Sequence, residues 1–462
     1  MTIGALASLK YFIPELTLVL TLGFVLVWDL ILMGHKDRNR LIPILTIAGL
    51  FLAGYFTIEL RHAPEGSLFS GMLALDRFGI ALRLLFIVTA VFITLLAIPS
   101  RELGSVHRGE LYALILAATA SLMWMANSVN LLMIYLSLEM VSIISYIMVG
   151  YLRRERLSNE ASLKYVVFGA VSTGTMLYGM SFLFGLTGSL DLFEIRAALQ
   201  NGAAGEAGPA SLLIVILILA GIGFKIAAVP FHFWCPDVYT GAPTPVTAFL
   251  SVGPKVAGFA VLVRFFYMGM AEPLSRGAGQ AWEMVGSVNW QAVLIGLSIA
   301  TMTLGNVAAL LQTNLKRLLA YSSIAHAGYI LMGAAVLSGE GIQAMLAYMV
   351  IYLFMNLGAF LVVMAIYDDT GSFDLKDYRG LWKRSPYLTV GMGIFLLSLM
   401  GIPPFAGFLA KLYVFAAVIR TAIEQGSANL GTYAKVVMAL FQYHYLCAVE
   451  QVADQAGFRQ WG

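Results

Sequence analysis

Four ionisable side chains stand inside long apolar runs of this sequence. Glu139 lies in "NLLMIYLSLEMVSIISYIMVG", Lys225 in "LILAGIGFKIAAVP", Lys255 near the centre of "TPVTAFLSVGPKVAGFAVLVRFF" and Lys411 in "GIPPFAGFLAKLYVFAAVI". A charge at the centre of a bilayer costs at least about 2.5–3.5 kcal/mol on insertion scales, so such residues usually face a bundle interior and have a task. Pairing that merely glues helices together explains one such charge better than four. One carboxylate cannot neutralise three ammoniums, so the surplus lysines must be hydrated, or neutral part of the time. Lysine, unlike arginine, gives up its proton once out of water, and a row of such groups can pass protons along. His326, in "YSSIAHAGYILMG", is a further relay candidate, with a hydrogen-bonded core histidine as the plainer reading. His232 reads equally as a helix-end hydrogen bonder and as a proton port.

The elements that position these groups follow from composition. The chain has 462 residues, is 60% hydrophobic and carries only 11% charged residues, against about 25% in a soluble globular protein. Apolar stretches of about 20 residues recur along its whole length, each long enough to cross a hydrocarbon core of about 30 Å. The expected class is all-α, a polytopic transmembrane helical bundle of about 13–14 helices; a β-barrel would show short alternating segments instead. A net charge of +3 with no basic run interleaved with aromatics excludes nucleic acid as a partner. Cys235 and Cys447 are far apart and match no metal or haem spacing, so no metal or cofactor site is expected in the chain. The apolar run over 11–33 lacks a basic flank and an A-x-A-like site and reads as a retained span.

Thirteen spans are predicted near 11–33, 42–60, 78–98, 110–126, 130–152, 163–187, 210–231, 244–266, 291–311, 317–337, 343–367, 387–420 and 432–450. With odd-numbered spans running inward, one set of loops holds most basic residues, among them Lys36, Arg38, Arg40, Arg153, Arg154, Arg156, Lys316, Arg317, Lys383 and Arg384. The other set holds Arg61, Arg77, Arg196 and Arg276, with Lys10 in the N-terminal tail. This asymmetry predicts an N-terminus outside the cell. The longest outer loop, "NGAAGEAGPA", carries no motif, and no soluble domain is expected within 1–462.

Two spans are interrupted. The stretch 385–419 would reach about 52 Å as one straight helix, and "GIPPF" (401–405) sits in its middle, with Lys411 just past it. Proline removes a backbone donor and clashes with the preceding turn, so a broken helix follows. In the seventh span, Pro230 follows Lys225 by five residues. Lysine-bearing, broken helices 7 and 12 lie five spans apart, and a five-helix unit repeated once returns upside down. That pattern predicts two inverted five-helix repeats, over 110–266 and 291–450, with the site at the breaks; no residue-by-residue repeat is evident. Plainer readings attach to other residues. Lys164, Arg83 and Arg264 lie near predicted helix ends, where snorkelling suffices; Asp76 reads as a helix cap; Trp234 and Tyr239 suit an interfacial belt.

Six stretches carry a family resemblance: "IPEL" (13–16), "YLSLEMVSIISYIMVGY" (135–151), "EASLKYVVFGAVSTGTMLYG" (160–179), "GFKIAAVPFHFWCPDVYTGAPTPVTAFLSVGPKVAGF" (223–259), "NLKRLLAYSSIAHAGY" (314–329) and "GIPPFAGFLAKLYVF" (401–415). Through them the chain resembles the antiporter-like membrane subunits of bacterial NADH-quinone oxidoreductase, the respiratory complex I family, and the wider group shared with Mrp cation/proton antiporters. "EASLKY" with "YSSIAHAGY" resembles subunit N more than its paralogues. The resemblance implies a proton-translocating membrane-arm subunit in a bacterial inner membrane, with no cofactor of its own; NADH, FMN, iron–sulfur clusters and quinone would belong to partner subunits. It further implies that Glu139 and Lys225 form a coupled pair, that Lys255 is the central relay and that Lys411 connects to the outer side. Cys235 stands where the family usually has a small residue such as alanine, a change expected to affect packing only. After Leu440 the chain departs from the family: "FQYHYLCAVEQVADQAGFRQWG" replaces the expected end of helix 13 and all of helix 14, through genuine divergence, truncation or a shifted reading frame. Two rival functions remain at this point. A stand-alone Mrp-like cation/proton antiporter predicts sodium-dependent exchange without redox partners. A scaffold subunit predicts charges that conduct nothing.

Overall fold

The computed structural model describes residues 4–33, 35, 37–104, 108–202, 210–274, 281–286, 288–424, 431, 433 and 434. Most of the predicted span at 432–450, the chain after Leu440 and most of the "NGAAGEAGPA" loop lie outside them. Among the described residues, 11 helices are long and apolar enough to cross a membrane, and two shorter apolar helices, Ala210–Ile226 and Pro386–Met400, accompany them. Both short helices are pieces of the spans predicted to be broken.

The chain forms two compact units. The first comprises 1–226, 241–272 and 284–288; the second comprises 227–240, 273–283 and 289–462. In the first unit the helices are α1 (Ile13–Ile31), α2 (Arg38–Glu59), α3 (Arg77–Ala97), α4 (Arg108–Asn127), α5 (Leu131–Val149), α6 (Arg156–Thr187), the short α7 (Leu192–Gln200) and α8 (Ala210–Ile226). After a seven-residue break and the short α9 (Trp234–Gly241), most of which belongs to the second unit, α10 (Thr244–Val263) completes the first. Every residue of α10 is buried, as suits an apolar helix at the centre of a bundle. Its small residues let neighbours approach closely. A Cβ on Gly258 would come within 2.7 Å of Ile226 Cγ2 and 3.3 Å of Lys225 Cβ.

The second unit holds α11 (Trp290–Leu310), α12 (Leu315–Ala335), α13 (Gly339–Thr370), α14 (Pro386–Met400) and α15 (Ala406–Glu424). The helices α11 and α12 touch almost backbone to backbone, where Gly305 faces Ala325 and Gly328 faces Met302. The predicted break in the twelfth span is present: α14 ends at Met400, Gly401 turns left-handed (φ 83°), and α15 begins at Ala406. The break in the seventh span comes earlier than Pro230 alone suggested. Helix α8 stops at Ile226, and Ala227 adopts φ 57°, a left-handed conformation unusual for a residue with a Cβ. Lys225 is thereby in the last turn of its helix, where the axial dipole favours a cation.

A local repeat missed in the sequence is plain in the structure. Helices α6 and α13 both run 32 residues and end on a left-handed glycine, Gly188 (φ 72°) and Gly371 (φ 70°). Each is followed by the same pattern, T-G-S-(Leu or Phe)-Asp-Leu, at 187–192 and 370–375. Asp191 forms an isolated antiparallel bridge with Asn130, and Asp374 forms one with Asn314. Each asparagine caps the helix that follows it, α5 or α12. The match was hidden because the shared loop pattern is only six residues long.

Candidate functional site

Glu139, Ser142 and Tyr146 follow one another at i, i+3 and i+7 on α5 and so share a face. Lys225, fully buried, donates from Nζ to Ser142 Oγ at 2.9 Å. Glu139 is half-buried and, among the described residues, makes no direct ion pair; it is close enough to act electrostatically on Lys225. The expected pair is therefore a charge relation with a serine hydroxyl at the ammonium. Tyr146 stands one turn beyond Ser142 on the same helix face. Its ring stands edge-on to Tyr165 at 4.8 Å, and Tyr165 leans on Phe224 at 5.7 Å. Lys255 is buried on α10 just after Pro254, one turn before Gly258, and the contact of Gly258 with the Lys225 stem brings the two lysines into one neighbourhood.

In the second unit, Lys411 Nζ donates to Leu399 O at 3.1 Å and Met400 O at 2.9 Å. These carbonyls belong to the last turn of α14, where the 401–405 break leaves them without helical partners. A buried lysine is thus held by the negative end of a broken helix. The Tyr329 ring lies 4.7 Å from the same nitrogen, a cation–π distance, and Asn306 Nδ2 donates to Tyr329 Oη at 2.9 Å. His326 is buried one turn before Tyr329; its Nδ1 is 2.7 Å from Tyr348 Oη, and its ring lies 5.2 Å from Tyr352, whose hydroxyl donates to Ser323 at 2.7 Å. The seventh-span break is also satisfied by protein: Val229 N donates to Thr301 Oγ1 at 3.0 Å, as backbone freed inside a membrane requires.

Ser142, Tyr146, Tyr329, Tyr348 and Ser323 were not singled out from sequence. Helical spacing from Glu139 and from His326 would have found all of them but Tyr348. Several plainer readings change. Arg83 and Arg264 do not snorkel: both are fully buried, Arg83 pairing with Glu15 at 2.8 Å and Arg264 with Asp76. These arginines lie inside bundled helices whose acidic partners are remote in sequence. Trp234 and Tyr239 are buried and form no interfacial belt, because α9 lies within a break. Lys316, expected in a loop, is buried in the first turn of α12 with Nζ 4.5 Å from the Phe373 ring. Lys164 does stay half-exposed, paired with Glu160 at 2.9 Å, and Asp76 does cap α3 by accepting from Gly79 N at 2.7 Å.

Fold and site together define a polytopic helical membrane protein with buried lysines seated at two helix breaks. Residues 128–434 match the family model described as NADH:quinone oxidoreductase/Mrp antiporter, transmembrane, and the chain belongs to that family. It is 46% identical over 430 residues to NADH-quinone oxidoreductase subunit N of Anaeromyxobacter sp. (strain Fw109-5), with 92% of this chain and 82% of that protein covered. It is 45% identical over 448 residues to NADH-quinone oxidoreductase subunit N 2 of Chloroherpeton thalassium, with 96% and 85% covered. Among solved structures, respiratory complex I from Thermus thermophilus with bound aureothin contains a chain of 31% identity and TM-score 0.69, covering 94% of this chain and 89% of that one. The Mrp complex of Dietzia sp. contains one of 22% identity and TM-score 0.76, covering 95% and 79%, a likeness of fold alone.

Proposed function

We propose that this chain is a proton-translocating subunit of the membrane arm of an NADH-quinone oxidoreductase. Electron transfer from NADH to quinone, with FMN and iron–sulfur clusters, takes place in partner subunits, and this chain carries protons across a bacterial inner membrane with its N-terminus outside. It is a single membrane domain in which 110–266 and 291–450 are two inverted five-helix repeats. The observation that carries this reading is the seating of Lys225 and Lys411, both buried, at helix breaks, the one on a serine hydroxyl and the other on the free carbonyls of a helix end. Glu139 sets the charge beside Lys225, Lys255 is the central relay, His326 a further one, and Lys411 the outlet.

Lys225→Arg tests it. Arginine keeps the positive charge but does not release a proton in practice. The variant should assemble at wild-type level and translocate protons poorly, and Lys225→Ala should also fail. Wild-type translocation by the arginine variant at equal assembly would make Lys225 structural glue and the chain a scaffold. Sodium-dependent exchange without NADH oxidation would instead make it an antiporter of the Mrp kind.

A further inference from the structure

Two carboxylates that flank α3 hold the two ends of α10, the helix that carries Lys255. At its start α10 has little with which to close its first turn. Pro243 offers no side-chain acceptor there, and Pro245 has no N–H. The Thr244 N–H is left for an outside acceptor, and Glu102 Oε2 takes it at 2.7 Å from 142 positions away. A carboxylate also suits the positive end of a helix. Glu102 lies in the loop after α3, and Arg108, the first residue of α4, holds that loop. Its guanidinium donates to Ile98 O at 2.7 Å, to Ser100 O at 2.9 Å and to Gly104 O. At its far end α10 runs into Arg264, its C-terminal cap, which Asp76 binds from the N-cap of α3.

The helices α3 and α10 therefore run antiparallel. They pack against each other and have nearly equal lengths, 21 and 20 residues, about 30 Å each. Lys255 stands between the two ties, about 17 Å along the axis from Thr244 and about 14 Å from Arg264. Pro254 has no N–H to offer the Leu250 carbonyl, so the helix supports itself least beside Lys255. It is also packed there without slack. A Cβ on Gly253 would come within 2.9 Å of Leu122 Cδ1 in α4, and Gly258 lies against the Lys225 stem. A slide of about 1.5 Å, one residue of helix rise, would break those contacts.

We propose that α3 is a brace that sets the axial register of α10, and that Glu102 is a positioning residue for Lys255, acting through the Thr244 N–H. The inference rests on the relay role proposed for Lys255. Asp76 and Arg264 fix one end of the brace, and Glu102 and Thr244 fix the other. What the role requires at position 102 is an oxygen that accepts, not a group that releases a proton.

The test is made in the whole assembly in membrane vesicles, with NADH-driven proton translocation measured across pH at equal amounts of assembled chain. Glu102→Ala removes the acceptor. Translocation should slow about fivefold, the shift that one helix cap commonly sets between two conformations. Its pH profile should move as well, because Lys255 then sits in altered surroundings; a cap that served only stability would leave the profile in place. Glu102→Gln keeps an accepting oxygen and should restore both rate and profile. Thr244→Pro removes the donor instead, at a helix position that suits proline, and leaves the Glu102 loop intact, so the test stands even where Glu102→Ala assembles poorly. It should match Glu102→Ala, and the double variant should be no slower than either single one, since all three lack the same bond. A wild-type rate and pH profile in Glu102→Ala or in Thr244→Pro overturns the brace. So does a Glu102→Gln variant as slow as Glu102→Ala, because the charge and not the bond then matters, and so does a double variant whose losses multiply. A slow Lys255→Arg beside a normal Thr244→Pro refutes the brace alone, whereas a normal Lys255→Arg refutes the reading beneath it.

Discussion

Asp76→Asn isolates a buried ion pair from the helix cap that shares its carboxylate. Asp76 accepts from Gly79 N at 2.7 Å, and asparagine can keep that bond. The same carboxylate meets Arg264 through both oxygens, with Arg264 Nη2 on Asp76 Oδ1 at 2.8 Å. The Arg264 side chain is 0% exposed and that of Asp76 23% exposed. Removing one partner of a buried pair costs about 3–5 kcal/mol, because the other charge stays buried without compensation. Arg264 retains its bond to Ala126 O at 3.2 Å and the Phe78 ring at 5.2 Å, so the lower end, about 3 kcal/mol, is expected. Asp76→Ala should lose about 1 kcal/mol more with the cap, and Asp76→Asn with Arg264→Met should recover most of the loss. Burial is the largest single influence on the Asp76 carboxyl and opposes its ionisation. The charge and hydrogen bonds of Arg264, with the Gly79 N–H, together outweigh it and hold the carboxyl below its ordinary range. The folded value is therefore below the unfolded one, near 3.9. The pair stabilises fully above that pH and less as the pH falls through the folded value; Asp76→Asn should abolish this acid-side dependence. The assays are the amount of chain assembled in membranes and the thermal inactivation half-life across pH. Wild-type inactivation of Asp76→Asn, or a double variant no better than the single, refutes the reasoning.

Two further outcomes are expected. Gly407→Ala would drive a Cβ into the Ser398 carbonyl, forcing α14 and α15 apart one turn from Lys411. Overpacking of this kind costs about 1–3 kcal/mol, and proton translocation should fall more than assembly does; wild-type translocation at wild-type assembly would show that the seat of Lys411 does not depend on this contact. A cysteine at Asn39, exposed at the start of α2, should resist impermeant thiol reagents from outside the cell and react from the cytoplasmic side, as the basic loops predict; labelling from outside inverts the topology and the direction of proton movement.

What the sequence disclosed depended on how locally each feature is encoded. The "GIPPF" break and Lys411 beyond it were legible because proline acts on its own helix within a turn. The buried lysines were legible because hydropathy marks an isolated charge wherever its partner is. The partners were not. Arg264 meets Asp76 across 188 positions and Lys225 meets Ser142 across 83, distances over which no periodicity speaks. Arg83 and Arg264 were misread for that reason, since a charge near a predicted helix end looks the same whether it reaches water or a hidden carboxylate. The T-G-S loops escaped because their likeness is six residues long and only their bridges to Asn130 and Asn314 give it meaning.

Lys225 and Lys411 differ in what holds them, and the difference bears on direction. Lys225 rests on a hydroxyl, which accepts from an ammonium and, turned, donates to an amine. Under the proposed role, a proton reaches Lys225 through the group that binds it. Lys411 rests on two main-chain carbonyls, which only accept. They stabilise the charged form, and they can never supply its proton. Tyr329 lies over the same nitrogen and, one turn away, His326 with its Tyr348 partner. A hydroxyl-held lysine suits a group recharged through its own contact; a carbonyl-held lysine suits one recharged from elsewhere in its unit. Under the proposed proton-carrying role, the hydroxyl at Lys225 suits uptake through that contact, and the carbonyls at Lys411 suit holding an ammonium.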